Sequence, residues 1–309
     1  MKKAILIIAH KNQEQLEQLV NKFRKSSDFD VFVHIDKKWR DFHRDSFIDN
    51  TKESNCVLLN RRLSGTLDDY SLVEIALYLL SSAKGQGAYS YYILISGQDY
   101  PIKNVGLISE NLDKSYPSPS IDCTKVQKDN YLFKHYDKWQ FRVPHNLIYS
   151  FFKSKIVRRF CKAPFYFAEK LFSIVMSPYK YMLDKNIVPY GGAAWWILPD
   201  IIVNDILSSK ERFSCFKHMK TPEEGYFQTQ VMNSKFSNLV QMHPVGAREQ
   251  NVLIYSHYYV PNKSKTGHPF IIEISDLERI KGLPHYFARK FDLNVDRAVL
   301  DEIDAFIES

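Results

Sequence analysis

The sequence is poor in cysteine and poorer still in cysteine patterns. Cys56, Cys123, Cys161 and Cys215 are widely spaced and form no CxxC pair. Such spacing excludes a zinc site or a disulfide framework, and the four read as buried, reduced thiols. No stretch approaches the ~20 consecutive apolar residues of a membrane-spanning helix. The apolar run Ala4 to Ala9 is short, follows two lysines and leads straight into polar helix, which argues against a signal peptide. A cytoplasmic, reducing compartment is the expectation. There is no internal repeat and no low-complexity tail. An RNP-like aromatic strand motif and a helix-turn-helix pattern are also missing, so a nucleic-acid partner is not expected.

What the chain does hold is apolar bulk, rings and positive charge. Hydrophobic residues make up 45% of its 309 positions, enough to bury one large core or two merged ones. The 19 Tyr, 21 Phe and 4 Trp suit a dense core and equally a site that stacks sugars or bases. Lys plus Arg number 42 against 35 Asp plus Glu. With nucleic acid set aside, that surplus points to a phosphorylated ligand or an acidic membrane surface.

The first hundred residues alternate strand and helix signals. Ala4 to His10 reads as a central parallel strand. Asn12 opens a helix with Gln15 placed as in a capping box, and Leu16, Leu19, Val20 and Phe23 form its stripe. Asp30 to Asp36 and Asn55 to Leu59 read as the next strands, Ser71 to about Ser82 as a helix, and Tyr91 to Ser96 as a fourth strand. This β-α-β-β-α-β order predicts a Rossmann-like α/β sheet. Tyr116 to Ser120 (YPSPS) breaks the pattern, and residues 131–185 read as a helical insertion rich in bases and aromatics. Gly191-Gly192 leads into a strand over Ala193 to Leu198, Thr221-Pro222 opens a helix through Gln230, and Asn294 to Ile307 is a terminal helix with Val299, Ile303 and Phe306 inward.

Four segments in order resemble the core-2/I-branching N-acetylglucosaminyltransferase family, which includes the peptide O-xylosyltransferases. They are AILIIAHKNQEQLEQLV with DVFVHIDKK; SLVEIALYLL with YYILISGQDYPIK; GGAAWWIL with TPEEGYFQT; and GHP followed by YFARKFD. The resemblance implies one GT-A catalytic domain over 1–309, with a nucleotide-binding half (1–126), the insertion (131–185) and an acceptor and catalytic half (186–309). It implies an inverting transferase that moves a sugar, most simply N-acetylglucosamine, from a UDP-sugar to a hydroxyl of a glycan or lipid-linked acceptor. Xylosyl or galactosyl transfer, or a non-catalytic glycan- or nucleotide-binding member, are the alternatives.

Site residues follow residue by residue. Ligands of a doubly wound sheet bind outside the carboxyl ends of its strands, where His10 and Asp36 stand. Asp36 suits ribose or uracil, though a turn role after a strand suits it too. The two histidines His10 and His34 have no ligand-spaced partner and read as hydrogen-bonded residues near a pocket. Where many GT-A enzymes carry a metal-binding DxD, the segment Ser96 to Pro101 has one acid, Asp99, expected on the donor side. Asp28 to Asp30 precedes a strand, and Asp68-Asp69 sits at a helix start. No metal is therefore expected, and cations must meet the charge of the departing diphosphate. By resemblance Lys290 does so, with Arg289 beside it. The branching enzymes have an arginine where this chain has Phe270; either Arg289 or Arg248 substitutes, or the leaving group is held differently. Glu224, second carboxylate of the TPEE segment, matches the family's catalytic base; as a bare pattern the same residues start a helix with Pro at N1. Adjacent Glu223 and Glu224 cannot flank one bond as a glycosidase needs. Trp195 and Trp196 alternate faces, which sends one to the core and the other to the cleft; Trp195 is the candidate for the cleft, with plain core packing as the alternative. Trp195, Glu223 and Arg248 are assigned to the acceptor side. The basic–aromatic run from Phe151 to Lys185 is a candidate contact for anionic membrane, or a solvated face over core aromatics.

Overall fold

The computed structural model describes residues 1–24, 26–67, 69–140, 163–164, 167–168, 170–241, 257–259 and 270–308. Its main sheet has the order β3-β2-β1-β4-β9-β6, built from β1 (Lys3–Ala9), β2 (Phe29–Ile35), β3 (Cys56–Leu58), β4 (Tyr91–Ser96), β6 (Ser120–Ile121) and β9 (Trp196–Pro199). The first four strands run parallel, while β9 lies antiparallel to both β4 and β6. A mixed α/β sheet of the expected class results.

Every residue of β1 is buried because helices cover both faces of the sheet. Ala4, Leu6 and Ile8 face one core with Val73, Ala76 and Leu79 of α3 (Ser71–Gln86). Ile5, Ile7 and Ala9 face the other, with Leu16 and Leu19 of α1 (Gln13–Lys22) and Val299 and Ile303 of the terminal helix Ala298–Glu308. Period-two alternation thus divides one apolar run between two cores.

A second sheet joins β5 (Asp99–Pro101), β10 (His257–Tyr259) and β11 (Phe287–Arg289), with β11 antiparallel to β5 so that Arg289 pairs with Asp99. A third pairs β7 (Thr124–Lys125) with β8 (Tyr190–Gly191).

Several local expectations are corrected. A helix, α2 (Arg44–Thr51), separates β2 from β3; only Phe47 and Thr51 of it are buried, too few for a readable stripe. Asn12 has φ 57° and makes no side-chain cap; its amide donates to Asp292 at 2.6 Å. Gln15 ties three segments, donating to the carbonyls of Gly97 (3.0 Å) and Phe291 (3.1 Å) and accepting from the Leu293 amide (3.0 Å). Thr221 likewise has φ 51° and makes no side-chain cap, and the expected single helix splits into a 3₁₀ turn, Pro222–Glu224, and an α-helix, Tyr226–Met232. Phe306 is half-exposed, and Ile307 fills the inner face instead. Cys123 and Cys215 are buried free thiols and Cys56 is half-buried; Cys161 lies outside the described residues. Within 131–185, Tyr131–His135 forms a 3₁₀ turn and Pro178–Asp184 an α-helix capped by Ser177. Residues 141–162, with much of the basic–aromatic run, lie outside the described residues. None of the described helices is long and apolar enough to cross a membrane.

Candidate active site

A cleft of about 930 Å³ opens outside the carboxyl ends of β1, β2 and β4. Its strand-end wall carries His10, Asp36, Lys38 and Ser96. The facing wall carries Gly192 to Trp195, Glu223, Glu224, Arg289 and Lys290. Most of the residues singled out in the sequence therefore meet in one cavity. Arg248 lies outside the described residues, and Phe270, nearly half exposed, does not line the cleft.

On the strand-end wall Asp36 is both a turn residue and a lining residue. Its carboxylate accepts from the amides of Lys38 (2.7 Å) and Gly65 (2.9 Å), and its own amide donates to Ala9 O at 2.8 Å. A Cβ on Gly65 would stand 2.9 Å from Leu72 Cδ2 and 3.1 Å from Asp36 Oδ2, so glycine permits this approach. Arg62 braces the turn through the carbonyls of Asp36 and Trp39. His34 is fully buried beneath it, and its Nε2 accepts from Leu63 N at 2.8 Å. Burial pushes its pKa down to about 4, so it is a neutral brace for the loop after β3. Desolvation and then the charge of Lys11 lower His10 as well, leaving a neutral imidazole on the wall at pH 7.

Asp99 sits elsewhere than expected. It is fully buried and absent from the cleft lining; its Oδ2 accepts from Ser96 N at 2.7 Å and its Oδ1 lies 3.3 Å from Arg289 Nε. The cross-strand register places the two opposite each other, so Asp99 holds Arg289 from behind. Burial raises the pKa of Asp99 while Arg289 opposes the rise. His257, 3.8 Å from Asp99, is driven well below its usual value by burial and then by Arg289, and stays neutral. The Arg289 guanidinium lies over the Trp195 ring at 4.4 Å. Trp196, fully buried against Phe227, takes the core side as expected. Lys290 follows in the cleft, its pKa lowered by desolvation and by Arg289.

The carboxylates ride a turn fitted by close approach. Gly192 N donates to Glu224 O at 2.8 Å. A Cβ on Gly192 would fall 1.9 Å from Asp122 O, and one on Gly191 would meet Glu224 O at 3.1 Å. A Cβ on Gly225 would fall 2.1 Å from the hydroxyl of Tyr136, which donates to Tyr190 O at 2.7 Å. Glu223 is buried and Glu224 half-buried, and both line the cleft. Gly192 and Gly225 are required by a neighbour's backbone or hydroxyl, and Gly191 is closely fitted, a reason that no sequence pattern displays.

Among the described residues no group of three or more His, Cys, Asp or Glu is arranged to hold a metal. Asp28 accepts from Ser109 at 2.6 Å and Asp30 pairs with Lys2 at 2.8 Å, both at the opposite end of the sheet from the cleft. Asp69 accepts from Ser71 N at 2.8 Å as a turn residue, and Asp68 lies outside the described residues.

A mixed sheet thus opens at its strand ends on a cleft whose lining brings together a carboxylate turn and the Arg289–Lys290 pair. The model of the Core-2/I-Branching enzyme family matches residues 4–281, and the chain belongs to that family of glycosyltransferases, with an α/β fold of the GT-A class. Among solved structures, S. aureus TarS is similar at 12% identity and TM-score 0.31, over 45% of this chain and 25% of TarS. TarS residues 1–349 give 13% identity and TM-score 0.31 over 46% and 42% of the two chains. HddC from Yersinia pseudotuberculosis gives 13% and 0.28, over 47% and 66%. The chain thus spans less than half the length of either TarS structure. No curated protein matches it.

Proposed function

We propose that the chain transfers a sugar from a UDP-sugar, UDP-N-acetylglucosamine first among them, to a glycan or glycolipid hydroxyl, with inversion and without a metal. The acceptor oxygen attacks the anomeric carbon as Glu224 takes its proton; the bond to the phosphate breaks, and UDP leaves with the electron pair. Lys290 and Arg289 meet the charge on the diphosphate, while Asp36 and His10 hold the nucleoside. Glu223 lies on the acceptor side, where Arg248 is also assigned. The observation that supports this reading is that the carboxylate turn and the Arg289–Lys290 pair line one cleft. UDP-xylose and UDP-galactose are alternative donors, and a non-catalytic binding member is the alternative in kind.

The test is a screen of UDP-sugars for hydrolysis and thermal stabilisation, with and without EDTA. Hydrolysis of one donor that survives chelation supports the reading. Stabilisation without turnover favours the binding member, and activity restored only by manganese or magnesium overturns metal independence.

Within a cytoplasmic setting, we also propose a peripheral contact with anionic membrane. Lys170 and the exposed Phe167, Leu171, Ile174 and Val175 support it. Flotation with anionic vesicles at low salt, lost at high salt, is the expected result; protein remaining unbound at low salt overturns it.

A further inference from the structure

Asp99, the acid expected on the donor side after β4, is turned inward, and the residue before it takes the place in the cleft. Gln98 is 7% exposed and lines the cavity. Its backbone is held on both sides: Gln98 N donates to Ser96 Oγ at 2.9 Å, and Gln98 O accepts from Phe291 N at 2.9 Å. Its side chain is barely used. Nε2 reaches Phe291 O at a long 3.5 Å, and that carbonyl already accepts from Gln15 Nε2 at 3.1 Å. A carboxamide has two N–H donors and an acceptor oxygen. The Gln98 side chain makes no other hydrogen bond among the described residues, and its Oε1 is not sealed from solvent.

Strand order indicates what such a group meets. Across the sheet edge the strands run β2, β1, β4, β9. Ile35 pairs with Ala9 and Ile8 with Ser96, so Asp36, His10 and Gln98 leave the sheet at about one level. The segment Gly192 to Trp195 enters β9 at the same edge, and Gly192 N bonds Glu224 O. Neighbouring strands stand about 4.8 Å apart, which puts Gln98 roughly 10 Å along the edge from Asp36. Phe291 bonds Gln98, so Lys290 is one residue from it. A nucleotide sugar laid along this edge with its nucleoside at Asp36 brings its diphosphate to Lys290. Its sugar then falls at Gln98, before the turn that carries Glu224.

We infer that Gln98 selects the transferred sugar: its carboxamide hydrogen-bonds a hydroxyl or amide group of the donor pyranose. The inference rests on the donor reading proposed above and adds the residue that discriminates among UDP-sugars. A neutral carboxamide suits this place, where a carboxylate would repel the diphosphate.

The test uses the full chain with UDP, UDP-N-acetylglucosamine, UDP-xylose and UDP-galactose, and calorimetry reads each affinity. Gln98→Met fills the same space without hydrogen-bonding N or O atoms, and Phe291 O keeps its bond from Gln15, so the turn is expected to hold. The preferred UDP-sugar should lose about tenfold in the variant and UDP less than about twofold, so that the spread among the three sugars narrows. Gln98→Ala, which opens the space instead, should give the same split. Affinities for UDP and the preferred sugar that fall together, or that both stay unchanged, overturn the inference. Failure of the parent reading is distinguishable. A wild-type chain that binds neither UDP nor any UDP-sugar ends both; a chain that turns over none of them yet shows the split loses the transferase reading and keeps the sugar contact.

Discussion

The two walls of the cleft are made by different means. The strand-end wall is the edge of a sheet: Ala9, Asp36 and Ser96 are held by backbone hydrogen bonds whose register β1, β2 and β4 already impose. The facing wall is assembled from pieces of two or three residues, Gly191-Gly192, Pro222–Glu224 and Arg289-Lys290, fixed by close approach and a buried ion pair. A wall built on a ladder distributes its support over many bonds. A wall built on contacts depends on each of them, and it is this second wall that carries Glu224 and the cations.

Substitutions can break or sharpen that contrast. The largest effect is expected on the contact-built wall: Glu224→Gln should retain UDP-sugar binding and lose transfer by roughly 10²–10⁴-fold in steady-state kinetics, the usual worth of a positioned base. Glu223→Gln should cost far less; equal losses would mean that the turn, and not a base, had been damaged.

Next comes acid. Folded His34 has its pKa near 4, whereas the unfolded chain takes up its proton around 6.5. The depressed folded value means that stability is full above pH ~6.5 and falls as the pH drops toward 4, by up to about 3 kcal/mol from this group. Denaturant melts across that window should show the loss, and His34→Gln, which keeps an acceptor for Leu63 N, should flatten it.

Gly192→Ala drives a methyl toward Asp122 O and should cost about 1–3 kcal/mol, with activity falling along with Tm because Glu224 O is tied to the same residue. Lys290→Ala should weaken UDP by about tenfold in calorimetry, as a charge-assisted contact is removed. The smallest effect has the opposite sign. Gly85 lies inside α3 with nothing within 4 Å of a built Cβ, so Gly85→Ala should stabilise by about 0.5–1 kcal/mol in thermal melts.

The same contrast divides what could be read from the sequence. Strand-end residues were legible because period-two burial and strand-then-helix order are written locally, as in Ala4 to Ala9 and Tyr91 to Ser96. Glu224 and Lys290 were legible only through family resemblance, since a TPEE segment by itself is a helix start. The neighbours of Gly192 and Gly225 were not legible at all, because Asp122 and Tyr136 come from tens of residues away. Asp99 was read as a donor contact from its place after β4, but the antiparallel pairing with β11, nearly two hundred residues later, turns it inward to Arg289. Gln15 drew a capping role from local spacing, whereas its three partners lie at Gly97, Phe291 and Leu293. Local patterns report local bonds; the second wall is made of distant ones.

The stacking of Arg289 on Trp195 has an optical consequence. An indole 4.4 Å from a guanidinium sits in that cation's field, and its emission depends on how the field is screened. An anion that draws the guanidinium toward itself changes the field at the ring, over a background from Trp139 and Trp196 in the core and from Trp39, which also lines the cleft. The chain thus carries its own fluorophore in the lining of the cleft, and binding of the proposed UDP donor should be visible in its native emission without any label.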